Sequence, residues 1–208
     1  MTHAPAAAEK NSKNAVENEQ QERQRWMKLA APESNLFLEL YYPLLFFTNQ
    51  KRRILPEVFT VSGLKHKSSE QLKTIRSVLF QQLNLFDQFI FENPFHFSSK
   101  QLEIVNTWKR SRVGRYFIFR ETNYYTIFLS NIKPMQAYGV LALNREFKTI
   151  FNEEFPVYIE TALLPFNDKI IADGIFSYYR IKFGAGFIRN LQKSYQKALD
   201  QEGLIISL

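Results

Sequence analysis

Cysteine is absent from this chain of 208 residues. Its absence excludes disulfide bonds, thiolate zinc sites and catalysis by a thiol nucleophile. Histidine is also scarce, because only His3, His66 and His96 are present and they lie far apart in the sequence. A transition-metal site would therefore depend on carboxylates, and we expect neither a metal ion nor another cofactor.

Long apolar runs are missing as well. The most apolar stretch, residues 36–47, is interrupted by Glu39 and Pro43, and it is shorter than the ~20 residues that cross a bilayer. The first residues lack the apolar run of ~7–15 residues found in a secretory signal. We therefore expect a cytoplasmic protein without a transmembrane segment. The net charge of +7 leaves peripheral contact with an anionic membrane surface open.

The composition indicates a folded chain with a polar N-terminal segment. Hydrophobic residues make up 45% and charged residues 23%, which is typical of globular proteins rather than disordered ones. Residues 1–31 are mostly polar and predict a flexible or partly helical tail. The remainder, residues 32–208, is long enough to form one structural domain.

Residues 32–113 have the periodicity of helices. Leu36, Leu40 and Leu44 are spaced four residues apart, which predicts a long buried helix that Pro43 kinks. Residues 50–67 are expected to form a loop. Ser68 or Ser69 is predicted to cap a second helix and Ser98 a later one, which Gly114 is expected to end.

After Gly114 the apolar period changes from 3.6 to 2, which indicates strands. Residues 115–120 and 124–129 predict a hairpin, and further strands are expected at 137–143, 157–164, 169–176 and 178–183. Asn144 is expected to cap a short helix, and Pro165 to end a strand. Residues 114–208 thus predict an antiparallel β region with a C-terminal helix that ends at Gly203. The expected class is α+β: N-terminal helices, a curved antiparallel sheet or small barrel of about five or six strands, and a closing helix.

Short motifs run through the last two-thirds of the chain. They are Asn93-Pro94-Phe95, residues 101–105, Trp108-Lys109, residues 114–129, 138–141 and 163–166, Ile170-Ile171, Asp173-Gly174, Phe183-Gly184 with Gly186, and residues 203–208. Together they resemble an uncharacterised family of bacterial proteins, common in cyanobacteria, that has no established activity. The resemblance implies one evolutionary unit and no catalysis. The chain departs from the family pattern at residues 184–190, where one basic residue is lost, and at Ala172, where relatives tend to have tyrosine.

Two sets of basic residues are candidates for binding anions or nucleic acid. The first joins the last predicted helix of residues 32–113 to the first strand, and aromatic residues interleave with it; it comprises Lys109, Arg110, Arg112, Arg115 and Arg120. The second lies at the start of the closing helix, where glycines would leave backbone N–H groups free for an anion; it comprises Gly184, Gly186, Arg189, Lys193 and Lys197. The same glycines could instead serve a tight turn, and the lysines a solvated helix face.

Two carboxylates, Glu160 and Asp173, lie in neighbouring predicted strands and form a third candidate site. Paired carboxylates can carry acid–base chemistry or hold a cation. Asp173-Gly174 also interrupts an apolar strand, which indicates a β-bulge as the alternative.

These patterns support three functional hypotheses. The first is a non-catalytic binding protein whose partner is another protein, as in an adaptor, assembly or regulatory factor. The second, ranked slightly lower, is a module that binds RNA or DNA through the two basic sets. The third is a metal-dependent hydrolase or nuclease built on Glu160 and Asp173. The modest net charge of +7 places protein contact first.

Overall fold

The computed structural model describes residues 27–208, and its first half is helical. The helices are α1 (Ala31–Arg52), α2 (Val61–Lys65), α3 (Ser69–Gln81), α4 (Asn84–Glu92) and α5 (Ser99–Thr107), followed by a 3-10 turn (Trp108–Arg110). Residues 1–26 of the predicted tail lie outside the described residues. The end of the predicted tail, from Met27 onward, belongs to the fold. The Leu29 N–H donates to the Ala142 carbonyl over 2.8 Å, and the Ala142 N–H donates to the Met27 carbonyl over 3.0 Å.

The predicted Ser98 cap is confirmed, and of the two candidates Ser68 and Ser69 the structure has Ser68 as the cap. The Ser68 hydroxyl accepts from the Gln71 N–H, and the Gln71 side chain accepts from the Ser68 N–H; Ser98 and Gln101 repeat the same exchange. Each pair satisfies two N–H groups that a helix start leaves without partners. The polar spacing therefore marks where α3 and α5 begin.

Other predicted helix boundaries are wrong. α1 continues through the buried Pro43 to Arg52, and the expected loop at 50–67 contains α2. Gly114 does not end a helix: α5 stops at Thr107, and Gly114 lies in the first strand opposite Thr161. The chain becomes extended earlier than expected because strand pairing with residues 157–163 begins at Arg112.

The second half forms a sheet with two further helices. In chain order its elements are β1 (Arg112–Glu121), β2 (Thr126–Ser130), β3 (Ala137–Leu141), α6 (Phe147–Phe151), β4 (Val157–Phe166), β5 (Lys169–Ala172), β6 (Ser177–Tyr179), α7 (Ala185–Glu202) and β7 (Leu204–Ile205). The β1–β2 hairpin and the end of α7 at Gly203 are confirmed. Glu146 rather than Asn144 precedes α6, and Pro165 lies inside β4, paired with Ile170.

Five strands close into a ring in the order β1-β2-β3-β5-β4, and β4 pairs back with β1. β6 extends the ring along β4, and β7 pairs with β3. The α+β class and the small barrel are confirmed. The expectation of a wholly antiparallel sheet is wrong, because β3 runs parallel to both β5 and β7. The chain passes through α6 and β4 before β5, so β5 returns beside β3 in the same direction.

Three apolar clusters join the layers. The helices α1 to α5 pack on the barrel through Leu164, Phe166 and Ile171. The barrel interior is filled by side chains such as Ile118, Phe128 and Ile159. α7 covers the outer face of β1 and β2, where Leu191 and Tyr195 belong to one cluster with Phe117, Phe119, Ile127 and Leu129. Among the described residues, no helix combines the length and the apolar character that a bilayer span requires.

A close approach at Gly139 makes the barrel sensitive to one added methyl group. A Cβ at Gly139 would lie 2.9 Å from Cγ of Tyr125 and 3.1 Å from Cγ2 of Ile206. Because these contacts are too short, we expect Gly139→Ala to lower the free energy of unfolding by about 1–3 kcal/mol, measured by urea denaturation. Gly114→Ala is the control, since its Cβ would meet no atom closer than 3.6 Å. Equal stability of the two variants would contradict the packing described for β3.

Candidate functional site

A groove lies where β1 begins. The β1–β2 pairing sets Tyr116 opposite Ser130, and the Asn131 N–H donates to the Arg115 carbonyl over 3.0 Å. The connection between β2 and β3 therefore runs alongside residues 112–116. The space between them has a volume of about 570 Å³ and includes Arg112, Arg115 and Lys133 in its lining. We call it the basic groove.

Hydrogen bonds fix the walls of the basic groove. The Tyr116 hydroxyl donates to the Arg112 carbonyl over 2.9 Å, and the Tyr138 hydroxyl donates to Oε1 of Gln136 over 2.6 Å. The Gln136 N–H donates to the Ser130 hydroxyl over 2.9 Å. Burial raises the pKa of both phenols, although Arg112 acts in the opposite direction. Both tyrosines are therefore neutral near pH 7, and they do not offset the cations.

The cations of the basic groove differ in how far they are neutralised. Arg112 and Lys133 are exposed, and within residues 27–208 no carboxylate lies within 4 Å of either charge. Arg115 is partly engaged: its Nε lies 3.6 Å from Oε2 of Glu160, and its guanidinium lies 5.4 Å from the ring centroid of Tyr179. Among the described residues, no Asp or Glu lines the groove. Among the described residues, Arg112 and Lys133 are thus the two cations of the groove without a carboxylate partner.

The rest of the predicted basic cluster is dispersed. Lys109 forms an ion pair with Asp87. Arg110 lines a separate depression with Lys100 and Lys169. Arg120 lies at the far end of β1, where its guanidinium is 4.8 Å from the ring centroid of Tyr195. Of the five predicted residues at 109–120, the structure brings only Arg112 and Arg115 to one groove.

The basic face of α7 meets the groove at one point. Lys197 lines a small depression of about 250 Å³ together with Lys133, so the second predicted set adjoins the first. Arg189 and Lys193 are exposed on the same helix. Gly184 is the N-cap of α7, with φ −72°, and Gly186 lies in its first turn. An added Cβ would meet no atom within 4 Å at either glycine, so neither packing nor a positive φ requires glycine there.

The open surroundings of Gly186 generate a stability prediction. Because alanine loses less backbone entropy than glycine in a helix, Gly186→Ala should raise the free energy of unfolding by up to about 0.5–1 kcal/mol. Thermal unfolding followed by circular dichroism measures this change. A lower unfolding temperature in the variant would mean that the fold itself requires glycine at this position.

Asp173 lies in a β-bulge, as its pairing with β4 shows. Ala172 pairs with Leu163, whereas Ser177 pairs with Glu160, so two extra residues lie on the β5–β6 side. Gly174 has φ +82°, which glycine adopts without strain. The Ile175 N–H donates to Oδ1 of Asp173 over 3.1 Å and holds the turn. The predicted bulge is confirmed.

The Asp173 carboxylate is enclosed by donors from three other elements. Oδ1 accepts from the Thr161 hydroxyl over 2.8 Å, and Oδ2 accepts from the Tyr41 hydroxyl over 3.0 Å. Nη1 of Arg76 lies 3.1 Å from Oδ2, and the side chains of both members of this ion pair are 0% exposed. Burial, followed by the Asp173 charge, raises the pKa of Tyr41 well above its usual range. A substrate or cation would have to displace these donors, so Asp173 gives the hydrolase hypothesis no support.

Glu160 lies beside the same arginine but closer to solvent. Its side chain is 18% exposed, with Oε1 3.1 Å from Nζ of Lys73 and 3.9 Å from Nη2 of Arg76. Burial alone would raise the pKa of Glu160, but Lys73, Tyr179 and Arg76 together lower it. The structure therefore places both residues of the predicted acidic pair, Glu160 and Asp173, in ion pairs with Arg76. Within residues 27–208, no three His, Asp or Glu side chains are grouped so that they could hold a metal ion.

The buried ion pair generates a test of its structural role. Arg76→Met leaves the Asp173 charge buried without its counterion, so we expect a loss of about 3–5 kcal/mol in the free energy of unfolding. Adding Asp173→Asn removes that charge while the amide oxygen still accepts from Thr161 and Ile175. We therefore expect the double variant to be more stable than Arg76→Met in urea denaturation. A double variant less stable than the single one would show that Asp173 contributes independently of Arg76.

The sequence patterns missed Lys133 and Arg76. Lys133 lies in the connection between the second and third strands, and only the β1–β2 register places it beside Arg112. That register could have been inferred from the predicted hairpin. Arg76 lies on the inner face of α3 among apolar residues, and no local pattern distinguishes it from a solvated arginine.

Comparisons with other proteins leave the site to be interpreted from its own geometry. No protein-family model matches the chain, and neither the curated proteins nor the solved structures include a significant match. The residues of the basic groove and of the Asp173 network are therefore the basis for assigning a function.

Proposed function

We propose that the protein binds single-stranded nucleic acid in the basic groove. The observation that carries this proposal is the pair of free cations, Arg112 and Lys133, on a groove without lining carboxylates among the described residues. Phosphate contacts by lysine and arginine release counterions, and this release supplies much of the affinity for nucleic acids. Arginine adds a planar donor fork that matches phosphate oxygens.

Apolar side chains beside these cations favour a single strand over a duplex. Ile132 is 76% exposed and Val113 is 42% exposed, and both line the groove. In a single strand the bases are accessible, so their faces can contact apolar side chains while the phosphates contact the cations. A duplex would present mainly its backbone to the groove and leave both apolar side chains in water.

The barrel supports the proposal by analogy of fold alone. Its ring runs β1-β2-β3-β5-β4, closes between β1 and β4, and has one helix between β3 and β4. This connectivity resembles that of the OB fold, a five-stranded barrel that often binds oligonucleotides or oligosaccharides. Function depends on the site rather than on the fold. Here α7 covers the outer face of β1 and β2, so the groove at the end of the barrel is the surface we assign to the strand.

Contact with another protein is the second candidate, and two exposed aromatic residues favour it. Phe91 is 90% exposed on α4, and Phe59 is 79% exposed in the connection before α2. Exposed aromatic side chains are common anchors of protein interfaces. Each of these phenylalanines is a single exposed side chain, whereas the basic groove combines positive charge, a concave shape and apolar side chains in one place. We therefore place nucleic acid first.

A charge reversal in the groove tests the proposal. We expect Arg112→Glu to weaken binding of a labelled oligouridylate of about 15 nucleotides by about tenfold or more at low salt, measured by fluorescence anisotropy. Removing one phosphate contact should also reduce the slope of log affinity against log salt by ~0.7. Lys133→Glu should give the same two changes.

The matched control is Arg145→Glu. Arg145 is exposed on the connection between β3 and α6, and the change alters the net charge by the same amount. We expect the affinity of this variant for oligouridylate to stay within about twofold of that of the unchanged protein. A charge outside the groove acts on the nucleic acid only through long-range attraction, which salt screens. Equal losses in both variants would show diffuse attraction instead of a site. Failure of the unchanged protein to bind at low salt would favour a protein partner.

A further inference from the structure

A second cavity lies between the helical layer and the barrel. It has a volume of about 420 Å³ and is bounded by α1, the start of α3, the β3–α6 connection, α6 and the bulge after β5. Its apolar lining includes Leu38, Leu143, Phe147, Ile150 and Phe176. Small-molecule sites commonly have volumes of about 300–1,000 Å³ and mostly apolar walls with a few polar groups. We call this space the interlayer cavity.

An exposed arginine lies at the rim of the interlayer cavity. Arg145 is exposed, and its hydrogen bond to the Thr149 carbonyl is long, at 3.4 Å. Within residues 27–208, no Asp or Glu lies within 4 Å of its guanidinium. Among residues 27–208, the cavity thus combines several apolar side chains with an exposed arginine that has no carboxylate partner.

A tyrosine hydroxyl group also lies beside the cavity. Tyr42 lines the cavity, and its hydroxyl makes no hydrogen bond with any other described residue. The neighbouring Tyr41 hydroxyl, in contrast, donates to Asp173. Asn144 adds an amide at the rim next to Arg145. An anionic group bound at Arg145 would therefore find further polar groups nearby.

Hydrogen bonds and an ion pair hold the wall of the cavity at the bulge. Asp173 and Gly174 form part of it, and the Asp173 carboxylate is held by Arg76, Tyr41 and Thr161. A preformed wall lowers the ordering cost of binding, since few groups lose freedom when a ligand enters. The cavity therefore has the properties of a preformed site, which does not need a bound ligand to open it.

We propose that the interlayer cavity binds a small amphipathic anion, which places an apolar body against Leu38, Ile150 and Phe176 and an anionic head group at Arg145. The apolar interior does not suit a polyanion, so this ligand is not the nucleic acid proposed for the basic groove. The two sites lie at opposite ends of β3: Gln136 and Tyr138 line the groove, whereas Leu143 and Asn144 line the cavity.

The test compares decanoate with decan-1-ol, which has the same chain without the charge. Isothermal titration calorimetry should show saturable binding of decanoate by the full chain. We expect Arg145→Ala to weaken decanoate binding by about tenfold, because it removes a charge-assisted hydrogen bond, and to leave decan-1-ol within about twofold. Leu38→Trp, which fills the cavity, should weaken both ligands.

The control variant is Arg112→Ala, which should leave both affinities unchanged. Three outcomes would overturn the proposal: no saturable binding of decanoate, equal effects of Arg145→Ala on the two ligands, or decanoate binding that Leu38→Trp does not alter. Arg145 is exposed, so its replacement does not disturb the core. Failure of the unchanged protein to bind oligouridylate would leave this test untouched, so the two proposals fail separately.

Discussion

One buried ion pair determines how the helices sit on the barrel. Arg76 on α3 and Asp173 after β5 are both fully buried, and the same carboxylate accepts from Tyr41 on α1 and from Thr161 on β4. Four elements thus meet at one pair of oxygens. A buried charge without its partners is costly, so any shift of α1 or α3 along the barrel would break this set of contacts. Apolar packing between the layers is less directional, because it depends mainly on the area removed from water.

The bulge at Asp173-Gly174 follows from the same constraint. β4 pairs with β5 at Leu163 and with β6 at Glu160, and the two extra residues between them let the Asp173 carboxylate meet Arg76. Gly174 takes the positive φ that the turn requires. The bulge also forms a wall of the interlayer cavity. The interaction that orders the layers is therefore also the one that shapes the interlayer cavity proposed as a binding site.

Features that depend on residues close together in the chain could be predicted from the sequence, whereas the pairing of strands that lie far apart in the chain could not. The Ser98 cap was predicted because Ser98 and Gln101 have the three-residue spacing of a capping box, and Ser68 was one of two candidate caps for α3. The bulge was predictable for a similar reason, since Asp-Gly interrupts an apolar strand. The parallel pairing of β3 with β5 was missed because short connections between strands favour antiparallel hairpins. No local pattern shows that β4, which precedes β5 in the chain, lies on the far side of β5 from β3. Lys133 was missed for a different reason: it lies outside the predicted strands, and the register of the predicted β1–β2 hairpin, which places it beside Arg112, was not worked out.

The two proposed sites depend on β3 in different ways. The start of β3 closes the basic groove, and the chain beyond its end closes the interlayer cavity, so residues 136 and 143 are separated by about 20 Å of extended chain. At the groove, Arg112 and Lys133 are exposed and have no carboxylate partner within residues 27–208, which suits a long, solvated polyanion. At the cavity, Arg145 lies at the rim of a space lined by apolar side chains, which suits a compact ligand with one head group. Since both sites use arginine, the surroundings of the guanidinium, rather than the residue type, distinguish the ligands.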